Sequence, residues 1–140
     1  MDAVNLRPRL VSFRTTSFHG ENKNAQDIGK QWSVQLTQTI EVAFMVADDP
    51  KEILQAVVNI ELLAKALKEG ASDQTADFLG GYEAKYSYPL GVKEAEIAPK
   101  FEHESYRYVL AAQVFPLAVT HFRREMQSMG FDARQLPLGL

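Results

Sequence analysis

From Trp32 to Val46 the chain alternates between two kinds of residue with almost no lapse. Trp32, Val34, Leu36, Ile40, Val42, Phe44 and Val46 fall on one parity, and Gln38 is the single polar exception. The other parity reads Ser33, Gln35, Thr37, Thr39, Glu41, Ala43 and Met45. Successive side chains point to opposite faces of a strand, so this period demands a long strand with one apolar face, and no helical period fits it.

A second alternation runs from Thr75 to Tyr88, with Ala76, Phe78, Tyr82, Ala84, Tyr86 and Tyr88 set against Asp77, Glu83, Lys85 and Ser87. The Gly80-Gly81 pair inside it predicts a bulge or a close backbone approach. Arg9 to Phe18, rich in Val, Phe, Thr and Ser, reads as a shorter strand. The polar run from His19 to Asp27 then serves as a crossover loop.

Lys51 to Leu67 fits two patterns. Asp49 suits a helix cap, Pro50 the first helical position and Gly70 a stop, and the composition favours helix. Yet Leu54, Ala56, Val58, Ile60, Leu62 and Ala64 also alternate against Gln55, Asn59, Glu61 and Lys65. Local chemistry prefers the helix and leaves the strand open.

After Tyr88-Pro89 a charged connection leads to a helical region from about Ser105. Phe115, Val119, Phe122, Met126 and Met129 recur there at helical spacing. Pro116 lacks an amide hydrogen and its ring crowds the carbonyl four residues back, so it predicts a kink or a new segment. Gly130 ends the run, and Phe131 leads into the stiff Leu136-Pro137-Leu138 extension. Strands first and helices after predict a single α+β domain, with helices gathered on one face of an antiparallel sheet.

Several function classes are disfavoured. A net charge of -3 gives no basic footprint for nucleic acid. The absence of cysteine removes disulfides, thiolate metal sites and a cysteine nucleophile, and suits a reducing cytoplasm. No signal peptide or membrane span is expected. His19, His103 and His121 lack metal-ligand spacing, and Glu102-His103-Glu104 reads as a solvated linker. Gly80-Gly81 lacks the pattern of a phosphate loop, no GxSxG elbow occurs, and Asp48-Asp49 suits a turn. Neither a catalytic constellation nor a cofactor or metal site is expected.

Phe115-Pro116, the helix to Gly130-Phe131, and Leu136-Pro137-Leu138 together resemble the late part of SecB and the SecB-like chaperones. Upstream, Gln31-Trp32 before the alternating strand is similar to that family's tryptophan at the end of its crossover loop. Thr75-Ala76-Asp77-Phe78-Leu79 resembles the start of its fourth strand. The resemblance implies four antiparallel strands, at about 9–19, 31–47, 52–68 and 75–89. It also implies a helical region over about 103–129 and an extended tail over 131–140, within one domain, and it makes 52–68 the third strand.

The family consists of holdase chaperones that assemble as dimers of dimers, wrap non-native or precursor polypeptides in apolar grooves, and use no nucleotide or cofactor. Carried onto this chain, that implies client contacts at Phe18, Trp32, Leu36 and Ile40, with Phe131, Leu136 and Leu138 from the tail. Three departures qualify the picture. Leu117-Ala118-Val119 replace the family's Tyr-Ala-Arg, so the role of that arginine is either absent or supplied by Arg123 or Arg124. The acidic positions that dock on the SecA motor fall on Thr15, His19 and Gly81. The chain stops at Leu140, where SecB continues into another helix. The last two point away from bulk export, toward a client-dedicated holdase such as a toxin–antitoxin-associated one. The alternative is a scaffold or adaptor that binds one folded partner, and a small-molecule use of the groove has no residue constellation behind it.

Overall fold

The computed structural model describes residues 6–22, 32–45, 53–68, 74–131 and 136. Four strands come first, β1 (Arg9–Asn22), β2 (Trp32–Met45), β3 (Gln55–Lys68) and β4 (Gln74–Ser87). A short helix α1 (Glu94–Ile97), a 3-10 turn (Ala98–Glu102) and a long helix α2 (Glu104–Ser128) follow. The strands form one antiparallel sheet in the order β1-β4-β3-β2, so β1 and β2 are its edges.

The ambiguous third segment is a strand, against its local helix preference. Helix propensity separates ordinary residues by only a few tenths of a kcal/mol each, about 0.7 at most. In the sheet β3 is hydrogen-bonded on both sides, Ile60 standing opposite Ile40 of β2 and Tyr82 of β4. It buries Ala56, Val58, Ile60, Leu62, Ala64 and Ala66 on one face. The alanines that favour helix locally act here as small side chains over which a helix can lie close.

The helix-facing side of β4 and the residue just past it carry the bulk: Phe78, Tyr82, Tyr86 and, beyond the strand's end, Tyr88 are all fully or almost fully buried. Three of their hydroxyls reach α2. The Tyr82 hydroxyl lies 2.8 Å from His121 Nδ1, that of Tyr86 donates to the Leu110 carbonyl at 2.8 Å, and that of Tyr88 meets the Tyr106 hydroxyl at 2.5 Å. From Tyr82 to Tyr88 a strand advances roughly 20 Å at ~3.3 Å per residue. From Tyr106 to His121 a helix advances roughly 22 Å at ~1.5 Å per residue. The match means that α2 lies along β4, running the opposite way, with Leu110, Val114, Phe115, Ala118, Val119, Phe122 and Met126 buried beneath it.

No new segment begins at Pro116; α2 continues through it as one helix. The neighbours Val114, Phe115, Ala118 and Val119 are all fully buried, so packing on either side holds what the missing amide loosens. Thr120 Oγ1 donates to the Pro116 carbonyl at 2.6 Å. The helix ends in a Schellman arrangement, in which Gly130 N–H bonds the Gln127 carbonyl and Phe131 N–H the Met126 carbonyl. Gly130 takes φ +92, which glycine adopts without a Cβ penalty.

The Gly80-Gly81 pair is a place of close approach. A Cβ on Gly80 would lie 2.9 Å from the Phe122 and Tyr82 side chains, and one on Gly81 2.8 Å from the hydroxyls of Thr16 and Ser17. The accompanying register shift sits on the partner strand, between Thr15 and Ser17 of β1. The charged connection before α2 holds more structure than its composition announces. Ile97 is fully buried there, anchoring α1 and the turn after it.

Candidate functional site

As an edge strand, β2 has no neighbouring strand beyond it among the described residues, and its apolar face is only partly covered. Val34, Leu36, Ile40, Val42 and Phe44 are half-buried against the core. Beside them an open groove of about 580 Å³ separates β2 from the first turns of α2. Ile40, Val42 and Ala111 give it apolar walls, and Gln38, Glu41, Glu104, Arg107 and Tyr108 give it polar ones. Beyond Val42 the row meets an aromatic stop, where Phe44 lies 5.0 Å from Phe101 and 6.2 Å, edge-on, from Tyr88.

The side chains implied as client contacts do not form one cluster. Leu36 and Ile40 lie together on β2. Phe18 lies on β1, at the far edge of the sheet, half-buried with its ring edge-on to His121 and Phe122. Phe131 is buried, edge-on to Phe78 at 5.2 Å, and Leu136 is buried in the same core. Both therefore act in this state as part of the protein's own packing. The backbone of Trp32 opens β2 opposite Lys68, while its side chain and the whole of Leu138 lie outside the described residues.

Sequence reasoning missed the polar rim. Gln38 was visible as a break in the apolar stripe, and it faces the groove that Glu104, Arg107 and Tyr108 border. Those helical residues lie more than sixty positions from it along the chain, and no local pattern joins them. Also missed was the contact between His121 and the sheet. With Nε2 turned toward Glu125 Oε1 at 3.5 Å, Nδ1 is left to accept the Tyr82 hydroxyl.

The chemistry of these groups is structural. Burial pushes the Tyr86 phenol up to about 12. Burial raises Tyr82 further, with the Glu125 charge adding to it, and burial together with the Tyr106 hydroxyl raises Tyr88. A phenol so held is neutral and already engaged in a hydrogen bond, a poor nucleophile or base. Among the described residues no group of three or more acidic, histidine or cysteine side chains is placed to hold a metal ion. Nor is any helix among them long and apolar enough to cross a membrane. What the surface offers is a row of partly covered apolar side chains along an open groove.

No family model and no curated protein matches the chain. Among solved structures it is similar to the Mycobacterium tuberculosis SecB-like chaperone determined in complex with a ChAD peptide from the HigA1 antitoxin. The TM-score is 0.56 at 16% identity, and the match covers 93% of this chain and 91% of that one. Four antiparallel strands with a long helix packed along the fourth, matched over nearly the full length of both chains, give this chain a SecB-like fold.

Proposed function

We propose that this chain is a divergent SecB-like chaperone, a non-enzymatic holdase that binds non-native polypeptides without ATP and serves particular clients rather than bulk export. One observation carries the reading: the half-buried apolar row of Val34, Leu36, Ile40 and Val42 on an edge strand, beside an open groove. Burying such surface against an unfolded segment is favourable by roughly 25 cal/mol per Å² and asks for no particular sequence. The peptide bound to the structurally similar mycobacterial chaperone supports a polypeptide ligand, and its antitoxin origin supports a dedicated client.

In this reading Leu36 and Ile40 meet the client from β2, joined by Trp32 and Leu138. Phe18, Phe131 and Leu136 contribute once the tail end of α2 loosens. A homo-oligomer, a dimer of dimers by analogy, multiplies weak contacts by presenting several grooves to one chain. Work in the cytoplasm, without coupling to SecA, completes the proposal.

The test is dilution of a chemically unfolded protein into buffer with the purified chain and no nucleotide. Light scattering should fall in proportion to added chain and reach a plateau near stoichiometric amounts. Undiminished scattering at a several-fold excess would sink the proposal.

A further inference from the structure

The two edges of the sheet differ in how they are protected. β1 breaks register twice, between Leu10 and Ser12 and between Thr15 and Ser17, and it carries Arg9, Arg14, His19 and Glu21. Bulges and charges keep an exposed edge from pairing with another chain. β2 has little of either. It pairs with β3 without a register shift, holds no proline, and carries one charge, Glu41.

Which groups this edge offers follows from one bond. The Tyr88 amide donates to the Leu54 carbonyl at 2.9 Å, and from there the β3–β4 register runs unbroken to Ala66. Main-chain groups alternate sides along an antiparallel strand, so the even residues of β3 bond β4 and the odd ones bond β2. Carried through the β2–β3 register, the odd residues of β2 face β3. Val34, Leu36, Gln38, Ile40, Val42 and Phe44 therefore turn their amides and carbonyls outward. Among the described residues no strand pairs with this row. The same residues carry the apolar face, with Gln38 its one polar member.

An antiparallel strand of the same sequence matches this row in one register. With Gln38 on a two-fold axis, Leu36 stands opposite Ile40 of the second copy, Val34 opposite Val42, and Gln38 opposite itself. Apolar residues then meet apolar residues, and one carboxamide donates to the oxygen of the other. Sliding the strand by two residues sets Gln38 against Leu36 or Ile40 instead and leaves an amide without its match. On the other face Thr37 meets Thr39 and Glu41 meets the Gln35 carboxamide, so no like charges are opposed. Glu104 and Arg107, which border the groove with Gln38, supply one charge of each sign per copy, which a two-fold axis can exchange.

We propose that β2 pairs with β2 of a second copy about a two-fold axis at Gln38, joining two sheets edge to edge. A lone polar residue that meets itself fixes the register, as a single asparagine does in a coiled coil. The pairing stands on the strand itself. Its consequence rests on the polypeptide-binding reading above: Leu36 and Ile40 cannot meet a client while they meet a second copy, so the paired form is the client-free state.

The chain contains no cysteine, so disulfide cross-linking of introduced thiols reads the register directly. Thr37→Cys mixed with Thr39→Cys should cross-link between chains at least about tenfold faster than either variant alone. Opposed Cα atoms in such a pair stand ~4.5 Å apart and diagonal ones ~7–8 Å, beyond the ~7 Å reach of a disulfide. Adding Gln38→Pro to both should abolish the cross-link while circular dichroism stays native, because that amide points away from β3. Equal rates in the three samples overturn the proposal, as does the absence of any cross-link or a preference that survives Gln38→Pro. An excess of a chemically unfolded protein should slow the cross-linking; an undiminished rate beside a client that the chain binds overturns the client-free role. Register-specific cross-linking without suppression of aggregation supports the pairing and removes the holdase reading. Suppression without cross-linking removes the pairing and leaves that reading intact.

Discussion

The Tyr82 hydroxyl, on the fourth strand, lies 2.8 Å from Nδ1 of His121 on the long helix, and Phe13 stacks on the same tyrosine ring with centroids 5.9 Å apart. Tyr82 is almost wholly buried, whereas His121 remains partly exposed. The two ends of this bond therefore differ in what their loss costs. His121→Leu strands a buried hydroxyl and should cost about 1–3 kcal/mol. Tyr82→Phe leaves a ring nitrogen that water can reach and should cost about 1 kcal/mol. Urea unfolding of both single variants and the double should show less loss in the double than the sum. Strict additivity would show that the bond contributes nothing.

Stability should hold up to about pH 10 and fall above it. The folded state keeps Tyr86 neutral up to about 12, and Tyr82 and Tyr88 are raised for the same reason, whereas an unfolded phenol ionises near ~10. Between those values the native state binds more protons than the unfolded state, so stability declines as pH rises. The measurement is urea midpoint against pH, paired with absorbance at 295 nm. Tyr86→Phe should flatten the decline, and an unchanged slope would contradict the assignment.

Two glycines should fail differently. Gly130→Ala makes only an ordinary van der Waals contact, with Asn22 Nδ2 at 3.9 Å, so its cost is the left-handed backbone alone, about 1 kcal/mol. Gly80→Ala drives a methyl to 2.9 Å from the rings of Phe122 and Tyr82, both buried, and should cost ~3 kcal/mol. Thermal unfolding ranks the two, and near-ultraviolet circular dichroism should change for Gly80→Ala only.

Substitutions along the apolar surface should separate binding from folding. Leu36→Ser with Ile40→Ser removes half-buried surface and should weaken aggregation suppression severalfold while the chain stays folded. Trp32→Ala should weaken client binding more than assembly. Phe131→Ala instead opens a hole against Phe78 and should cost about 3–5 kcal/mol of stability. Chemical unfolding and light scattering on the same samples decide the matter. A Phe131→Ala protein of native stability would mean that the tail packs elsewhere.

The alternations over 32–46 and 75–88 made two strands legible, because burial on one face of a sheet writes a period of two into the residues themselves. The helical stripe from Phe115 to Met129 was legible for the corresponding reason, and so was its end at Gly130, where a left-handed turn requires a residue without Cβ. Less legible was the stretch from Glu94 to Glu102, whose charges conceal a single buried anchor, Ile97. Of the candidate site, Leu36 and Ile40 followed from the strand pattern. The burial of Phe131 and Leu136 did not follow, since an apolar residue looks the same in sequence whether it faces a client or its own core.

By itself the sequence determined where the chain alternates, where it coils into helix and where it must turn, since those are properties of neighbouring residues. It also narrowed the chemistry, leaving no thiol and little net charge. Tertiary structure alone decided that Gln55–Lys68 is a strand, because its stabilising partners, β2 and β4, come from elsewhere in the chain. It alone set His121 against Tyr82, and the charged residues of the first turns of α2 against Gln38 and Glu41. Contacts between positions so far apart depend on how a whole helix lies along a sheet, and the hydroxyls of Tyr82 and Tyr86 on β4 and of Tyr88 just beyond its end hold that helix in place.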